Sequence, residues 1–126
     1  MDVTCLLMPI SWFPDVEHLT SHITKLHRNV TSPDGKFGFG VTTHHGKAPI
    51  EHGSEDTWER YFTRTTRDLL EMEQQVRGED NSIRELAVKW FERMLPRLLR
   101  PMETDGRKIR PVMLHGDLWH GNTGVD

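Results

Sequence analysis

The residues best suited to chemistry lie near the end of the sequence. A short apolar run, Pro111-Val112-Met113-Leu114, is followed by a His-Gly turn, then by Asp117 and, further on, Asn122. A carboxylate can accept a hydrogen bond from a substrate hydroxyl, and oxygen ligands of this kind suit Mg²⁺. The apolar run predicts a buried strand, which would deliver both side chains to the edge of a site.

The spacing of these residues indicates which kind of reaction they could serve. Four residues separate Asp117 from Asn122, as in a kinase catalytic loop, where the Asp takes the hydroxyl's hydrogen bond and the Asn holds magnesium. Gly116 stands where protein kinases have an arginine, which favours a small-molecule kinase. The spacing alone occurs by accident in many loops. With the strand and the His-Gly turn in front of it, the pattern is specific.

Composition predicts one small domain and excludes several classes of partner. The chain has 126 residues and a net charge of -3, so it carries no basic footprint for nucleic acid or a membrane surface. Its single cysteine, Cys5, cannot form an internal disulfide, which favours a reducing compartment. No signal peptide or membrane span is recognisable. We therefore expect a soluble cytoplasmic protein that binds neither nucleic acid nor membranes.

Three helices are expected to position the site. Apolar residues recur at helical spacing in three segments, and these predict helices over 15–28, 56–77 and 83–95. Asp15 is a plausible N-cap for the first helix, and Gly78 ends the second. Pro96 is expected to kink or end the third. The predicted fold class is mainly α with a short β element.

Two local pairs predict where the later helices start. Asp56 with Glu59 resembles a capping pair for the second helix. Ser82 with Glu85 forms a Ser-x-x-Glu capping box for the third. Both predictions assume that each helix is capped by residues next to it in the sequence.

Between the first two helices, residues 29–53 are rich in glycine and proline and predict a long ordered loop. Phe37-Gly38-Phe39-Gly40 looks like a phosphate loop only superficially, because no Gly-Lys-Ser/Thr follows it. His44, His45 and His52 also lie here. No cysteine accompanies them, so solvated histidines are expected rather than a zinc site.

Several segments together resemble the fructosamine kinase family, a branch of the aminoglycoside-phosphotransferase-like kinases. They occur in family order and span roughly residues 15–126. The segments are Leu26-His27-Arg28, Ser32-Pro33-Asp34-Gly35-Lys36-Phe37-Gly38-Phe39, Val41-Thr42-Thr43, His115-Gly116-Asp117-Leu118-Trp119 and Gly121-Asn122.

The resemblance implies a fold, a reaction and a set of roles. The fold would be part of the C-terminal lobe of a protein-kinase-like domain. The reaction would be ATP- and Mg²⁺-dependent phosphorylation of the 3-hydroxyl of a ketosamine on a protein or small amine, which leads to deglycation. Asp117 would be the catalytic carboxylate, His115 would brace the catalytic loop, Asn122 would bind magnesium and Trp119 would lie near the sugar. His115 as an ordinary turn histidine and Trp119 as a packing residue stay open as alternatives.

The same resemblance implies that parts of a complete kinase are missing from this sequence. Residues 1–13 would be the remnant of an inter-lobe connector, and residues 14–126 a partial C-terminal lobe. The N-terminal lobe with its lysine and the second metal-binding aspartate would be absent. Pro49-Ile50-Glu51-His52 also departs from the family's Pro-Gln-x-Asn. We therefore expect the chain alone not to phosphorylate a ketosamine.

Two other functions compete with this interpretation. One is a truncated, non-catalytic pseudokinase that binds a partner through apolar surface left uncovered. The other is an unrelated hydrolase or metal protein that uses His115, Asp117 and His120, which the spacing and the remaining segments disfavour. Two observations separate the pseudokinase from the kinase. They are whether the chain binds Mg-ATP and whether a longer form of the protein exists.

Overall fold

A computed structural model describes residues 15–123 of the chain. The described residues divide into two units, one formed by residues 15–31 with 112–123 and the other by residues 32–111. The predicted connector, residues 1–13, lies outside the described residues. The assignment of 14–126 to a kinase lobe stays a prediction.

Helices dominate the structure and the strands are short, which confirms the predicted fold class. Within residues 15–123, none of the helices combines the length and the apolar character needed to cross a bilayer. The elements are α1 (Val16–Asn29), β1 (Phe37–Gly38), β2 (Thr43–His45), β3 (Ala48–Ile50), β4 (Ser54–Glu55), α2 (Trp58–Arg77), α3 (Asn81–Lys89), a π turn (Trp90–Met94), α4 (Leu95–Leu99) and 3₁₀ turns at Arg100–Met102 and His120–Asn122.

The first unit is built on α1. Asp15 caps this helix as predicted, because its carboxylate accepts the backbone N–H of His18 at 3.0 Å. Most of the apolar stripe of this helix is half-buried, and Val16 at its start is exposed. The half-buried members of the stripe are Leu19, Ile23 and Leu26.

The residues after α1 pair with the segment that leads to the His-Gly turn. The carbonyl of Val30 accepts the N–H of Met113 at 3.0 Å, and Thr31 forms an antiparallel bridge with Val112. The prediction of a buried strand over 111–114 is wrong: this is one bridge, and Leu114 is 55% exposed. An apolar run shows that a segment can pair, but its sequence does not show how many residues of a partner run beside it.

The second unit contains two short antiparallel ladders. β2 and β3 form a hairpin with Thr43 opposite Ile50, and β1 pairs with β4 so that Phe37 lies opposite Glu55. The expectation of an unpaired loop over 29–53 is therefore wrong. Strands of two or three residues are too short to show the alternation by which a strand is recognised in a sequence.

One arginine of α2 binds the segment between β3 and β4. Arg64 donates to the backbone carbonyls of Glu51, at 3.0 Å, and of His52. It also pairs with the carboxylates of Glu55 and Asp68, each at 3.2 Å. The planar guanidinium can donate in several directions at once, so a single side chain satisfies two loop carbonyls and fixes them to the helix.

The histidines of the ladder region have different surroundings. His44 and His45 are exposed, as expected. His52 is half-buried instead, with Nε2 2.7 Å from Oγ1 of Thr43 and Nδ1 2.5 Å from the hydroxyl of Tyr61. The expectation of a solvated histidine is wrong for His52, because hydroxyl groups from β2 and α2 take the place of water at both ring nitrogens.

The start of α2 is capped from a distant part of the chain. The carboxylate of Glu103 accepts the backbone N–H groups of Trp58, at 2.7 Å, and of Glu59, at 2.9 Å. Thr57 is the N-cap residue and accepts the N–H of Arg60. A carboxylate at this position satisfies otherwise unpaired donors and complements the positive end of the helix dipole.

The predicted capping pair of Asp56 and Glu59 is therefore wrong. Asp56 forms an exposed ion pair with Lys36 at 3.2 Å. Glu59 receives both Nε and Nη2 of Arg100, at 3.1 and 2.7 Å. Glu103 accepts the N–H of Glu59 that a capping Asp56 would need, and the carboxylate of Glu59 pairs with Arg100 instead of capping the helix.

The third helix begins slightly earlier than predicted. Asp80, and not Ser82 with Glu85, supplies the cap, since its carboxylate accepts the N–H of Ser82 at 2.8 Å. Hydrogen bonds from the hydroxyl and the backbone of Ser82 lower the pKa of Asp80. The carboxylate therefore stays ionised where it complements the helix N-terminus.

Of the two outcomes expected at Pro96, a kink or an end of the third helix, the structure excludes the end. The N–H of Leu95 bonds to the carbonyl of Trp90, five residues earlier, and α4 then continues to Leu99. A proline inside an α-helix clashes with the preceding turn and leaves a carbonyl without its donor. The wider π turn directly before Pro96 lets the helix pass the proline without breaking.

The apolar core of the second unit is small. Among residues 32–111, the buried apolar side chains are Phe37, Phe91 and Leu95. The ring of Phe37 lies 5.7 Å from that of Trp58, and the guanidinium of Arg67 lies 4.5 Å from the centroid of Phe91. With few buried residues, each contributes a large share of the stability of this unit.

Truncation of Leu95 should therefore be costly. Leu95 is 2% exposed, whereas Leu98 in the same helix is 54% exposed. We expect Leu95→Ala to lower the free energy of unfolding by about 2–5 kcal/mol. The matched Leu98→Ala change should cost less than about 1 kcal/mol. Urea unfolding of both variants measures the difference, and equal losses would contradict the placement of Leu95 in the core.

The titration of Tyr61 provides a second check of this unit. Burial raises the pKa of the Tyr61 hydroxyl, while the charge of Arg64 opposes the shift. The folded state holds this proton more tightly, so stability present below the ordinary tyrosine pKa should be lost as pH rises through the folded-state pKa. Tyr61 is the chain's single tyrosine, so tyrosinate absorbance reports on it directly. The midpoint should be higher in the native chain than in urea, and Arg64→Gln should raise it further.

Candidate active site

The candidate site lies in the first unit, in the segment that follows the bridge to the end of α1. Gly116 turns the chain here with a φ of +84°, in the left-handed region that glycine adopts without strain. Residues 120–122 then form a single 3₁₀ turn, closed by the N–H of Asn122 on the carbonyl of Trp119 at 2.9 Å. The loop is thus a glycine turn followed by a tight turn, with Asp117 between them.

His115 forms a hydrogen bond across the glycine turn. Its Nδ1 accepts the backbone N–H of Asp117 at 3.3 Å. A ring nitrogen that accepts must carry a lone pair, so this geometry belongs to the neutral imidazole with its proton on Nε2. His115 is exposed, and the bracing role that the resemblance implies stays a prediction.

The two residues whose spacing first indicated a kinase are in direct contact. Nδ2 of Asn122 donates to the carboxylate Oδ2 of Asp117 at 2.7 Å and to the backbone carbonyl of Asp117 at 2.9 Å. One amide group therefore fixes both the main chain and the side chain of the aspartate. Because Nδ2 faces the carboxylate, Oδ1 of Asn122 is the atom that would contact a cation.

Trp119 is placed by the glycine two residues after it. A Cβ atom added to Gly121 would lie 2.5 Å from the indole ring, closer than real side chains approach. The ring is 52% exposed, so one part of it packs on the backbone of Gly121 and another part faces solvent. An indole in this position combines the packing role with a surface that could stack on a sugar.

Asp117 and Asn122 could supply part of the coordination of a magnesium ion. Asp117 and Asn122 offer the oxygen ligands that Mg²⁺ prefers, and Mg²⁺ is commonly held by one or two protein ligands together with substrate phosphates. Over residues 15–123, no cluster of three or more His, Cys, Asp or Glu side chains could hold a metal by itself. An ion bound by Asp117 and Asn122 would need further ligands from water or from substrate phosphates.

The structure thus brings together all four residues that the sequence indicated: His115, Asp117, Trp119 and Asn122. The sequence did not indicate that Gly121 makes room for the ring of Trp119, since Gly121 was recognised only as part of a family segment. A tryptophan two residues before a glycine in a tight turn is a readable signal for such packing. The double hydrogen bond from Asn122 to Asp117 was also not predicted.

Comparison with known proteins defines the class of this loop. The fructosamine kinase family model matches residues 9–126. A protein of Enterococcus faecium named "Probable ketoamine kinase" is 30% identical over 112 residues, which cover 89% of this chain and 38% of that protein. A Mus musculus protein named "Ketosamine-3-kinase" is 31% identical over 94 residues, 72% of this chain and 28% of that protein. No solved structure matches the chain.

The comparisons therefore place the chain in a class of proteins related to kinases. More particularly, the chain belongs to the fructosamine kinase family, since the family model matches almost all of it. The family assignment made from the sequence segments is confirmed. The chain spans 38% and 28% of the length of the two relatives described here.

Substitution of Gly121 should displace the ring of Trp119. In Gly121→Ala the new methyl group cannot occupy the space of the rigid indole, so the ring must move or the turn must open. We expect a shifted indole N–H resonance for Trp119 and weaker binding of any sugar ligand. Gly40→Ala is the matched control, because an added Cβ there meets nothing within 4 Å. An unchanged Trp119 resonance in Gly121→Ala would contradict this packing.

Proposed function

We propose that this chain supplies the catalytic loop of an ATP-dependent ketosamine kinase that phosphorylates the sugar 3-hydroxyl of a glycated amine. The observation that carries the proposal is the contact between Asp117 and Asn122 in a chain of the fructosamine kinase family. The names of the two relatives support the ketosamine substrate class. The acceptor would be a glycated protein or a small ketosamine, and the single cysteine suits the cytoplasm.

Asp117 would act on the acceptor. Its ionised carboxylate accepts a hydrogen bond from the sugar hydroxyl and aims the oxygen at the phosphorus atom. The amide of Asn122 prevents the carboxylate from rotating away, since it donates to both the side chain and the main chain of Asp117. Phosphoryl transfer needs alignment and charge neutralisation more than covalent help, so a carboxylate fixed in this way supplies much of what the reaction requires.

The other side of the site would be occupied by ATP and Mg²⁺, which when bound supply the phosphoryl group and neutralise its charge. Oδ1 of Asn122 would face the metal while Nδ2 keeps its bonds to Asp117. His115 would hold the backbone N–H of Asp117, and the exposed part of the Trp119 ring would face the sugar. Each role follows from an atom whose contacts within the loop are described above.

The first experiment measures the intact mass of the native protein from its source cells, followed by an assay for ketosamine phosphorylation with ATP and Mg²⁺. We expect a mass above the 14.7 kDa of this chain and Mg-ATP-dependent product. The isolated 126-residue chain should give none. A native mass near 14.7 kDa without turnover would favour the non-catalytic binding protein instead.

Mutation of the active native protein assigns the loop residues. Asp117→Asn should reduce kcat by about 10²- to 10⁴-fold, because the amide cannot accept the hydroxyl's proton. Asp105→Asn, an isosteric change at another exposed loop aspartate, should leave kcat unchanged. Asn122→Asp keeps an oxygen for the metal but loses the donor to Asp117, so it should also lose activity. Full activity of Asp117→Asn would refute the assignment.

A further inference from the structure

Helix α1 carries two histidines that the proposed phosphoryl transfer does not use. His18 and His22 are four residues apart, so they lie on the same face of the helix one turn apart. Both are exposed, and their ring centroids are 4.5 Å apart with the rings nearly perpendicular. Two imidazoles in this arrangement are close enough to share one ligand.

The protonation of His22 is fixed by a backbone contact. Its Nδ1 lies 2.9 Å from the carbonyl oxygen of His18. Because a carbonyl oxygen only accepts, Nδ1 must carry the proton, and in the neutral ring the lone pair then lies on Nε2. Metal-binding histidines are commonly oriented in this way, with one ring nitrogen donating to a carbonyl and the other facing the ion. His22 is therefore already in a tautomer that can bind a metal.

The distances and charges also suit a cation. Zinc–nitrogen bonds of about 2.0–2.1 Å place two ligand nitrogens on one ion about 3 Å apart. Rings whose centroids are 4.5 Å apart can reach this separation by side-chain rotation. The first turn of α1 is acidic, with Asp15 at the N-cap and Glu17 beside His18. Their negative charges offset the cost of bringing a divalent cation to the surface.

We propose that His18 and His22 form a two-histidine chelate for a divalent transition metal that prefers imidazole, namely Cu²⁺, Ni²⁺ or Zn²⁺. Water would complete the coordination, because the described residues provide no cluster of three or more metal-binding side chains. Imidazole ligands favour these ions over Mg²⁺, so this site is chemically distinct from the kinase loop. The chelate joins two turns of α1 and stabilises the helix by mass action.

The experiment titrates Ni²⁺ into the untagged 126-residue chain while calorimetry and the histidine ring resonances are recorded. We expect one strongest site, with early paramagnetic broadening of His18 and His22 together. His18→Gln and His22→Gln should each weaken that site by at least about tenfold, because either change removes the second ligand of the chelate. His44→Gln should leave it unchanged.

A register control tests the geometry. The double variant T20H/H22Q keeps the number of histidines but places them two residues apart, on different faces of the helix. It should bind Ni²⁺ as weakly as the single variants. Helical circular dichroism should increase with Ni²⁺ in the natural chain but not in T20H/H22Q, a readout that also holds if α1 frays. Equal affinity of the natural chain and T20H/H22Q, or broadening of other histidines before these two, would overturn the proposal.

Discussion

Two stretches of backbone that are far apart in the sequence meet beside the candidate site, and the position of the loop that holds Asp117 and Asn122 depends on their pairing. Val30 accepts the N–H of Met113, and Thr31 forms a bridge with Val112. In the second unit, Ser32 donates to the carbonyl of Pro111, so the two ends of that unit also meet. Closing a long loop costs entropy that grows only slowly with its length. The long segment 32–111 can therefore be accommodated between two short paired segments.

The contacts around Asp117 show how a short, exposed segment can fix the orientation of a carboxylate. Asp117 is fixed through its N–H by His115 and through its carbonyl and carboxylate by Asn122. Few of these atoms are buried, so order comes from local hydrogen bonds and tight turns rather than from a packed core. Such an arrangement places a carboxylate in reach of solvent-borne substrates while limiting the directions in which it can point.

The sequence predicted several features that depend on neighbouring residues, although it missed the nearby cap at Asp80, and it missed those that depend on distant residues. The N-cap at Asp15 and the stop at Gly78 were correct because both are local. The capping pair predicted for the start of α2 was wrong, because the carboxylate that caps this helix belongs to Glu103, far along the chain. In the site, the spacing of Asp117 and Asn122 indicated that the two residues belong to one loop, but not that they are in contact. It did not predict that the amide nitrogen of Asn122 takes the carboxylate, since that depends on the path of the 3₁₀ turn.

The π turn over Trp90–Met94 has a consequence for how this helix tolerates change in evolution. A π turn contains one residue more than the α-helical turn it replaces, so it shifts every later side chain around the helix axis. Leu95 reaches the core, and Pro96 is accommodated, in the register that this additional residue sets. Loss of one residue before Pro96 would rotate Leu95 away from α2 without changing the composition of the helix. At its exposed positions, such as Met94, substitutions should therefore be tolerated more readily than a change in the length of this segment.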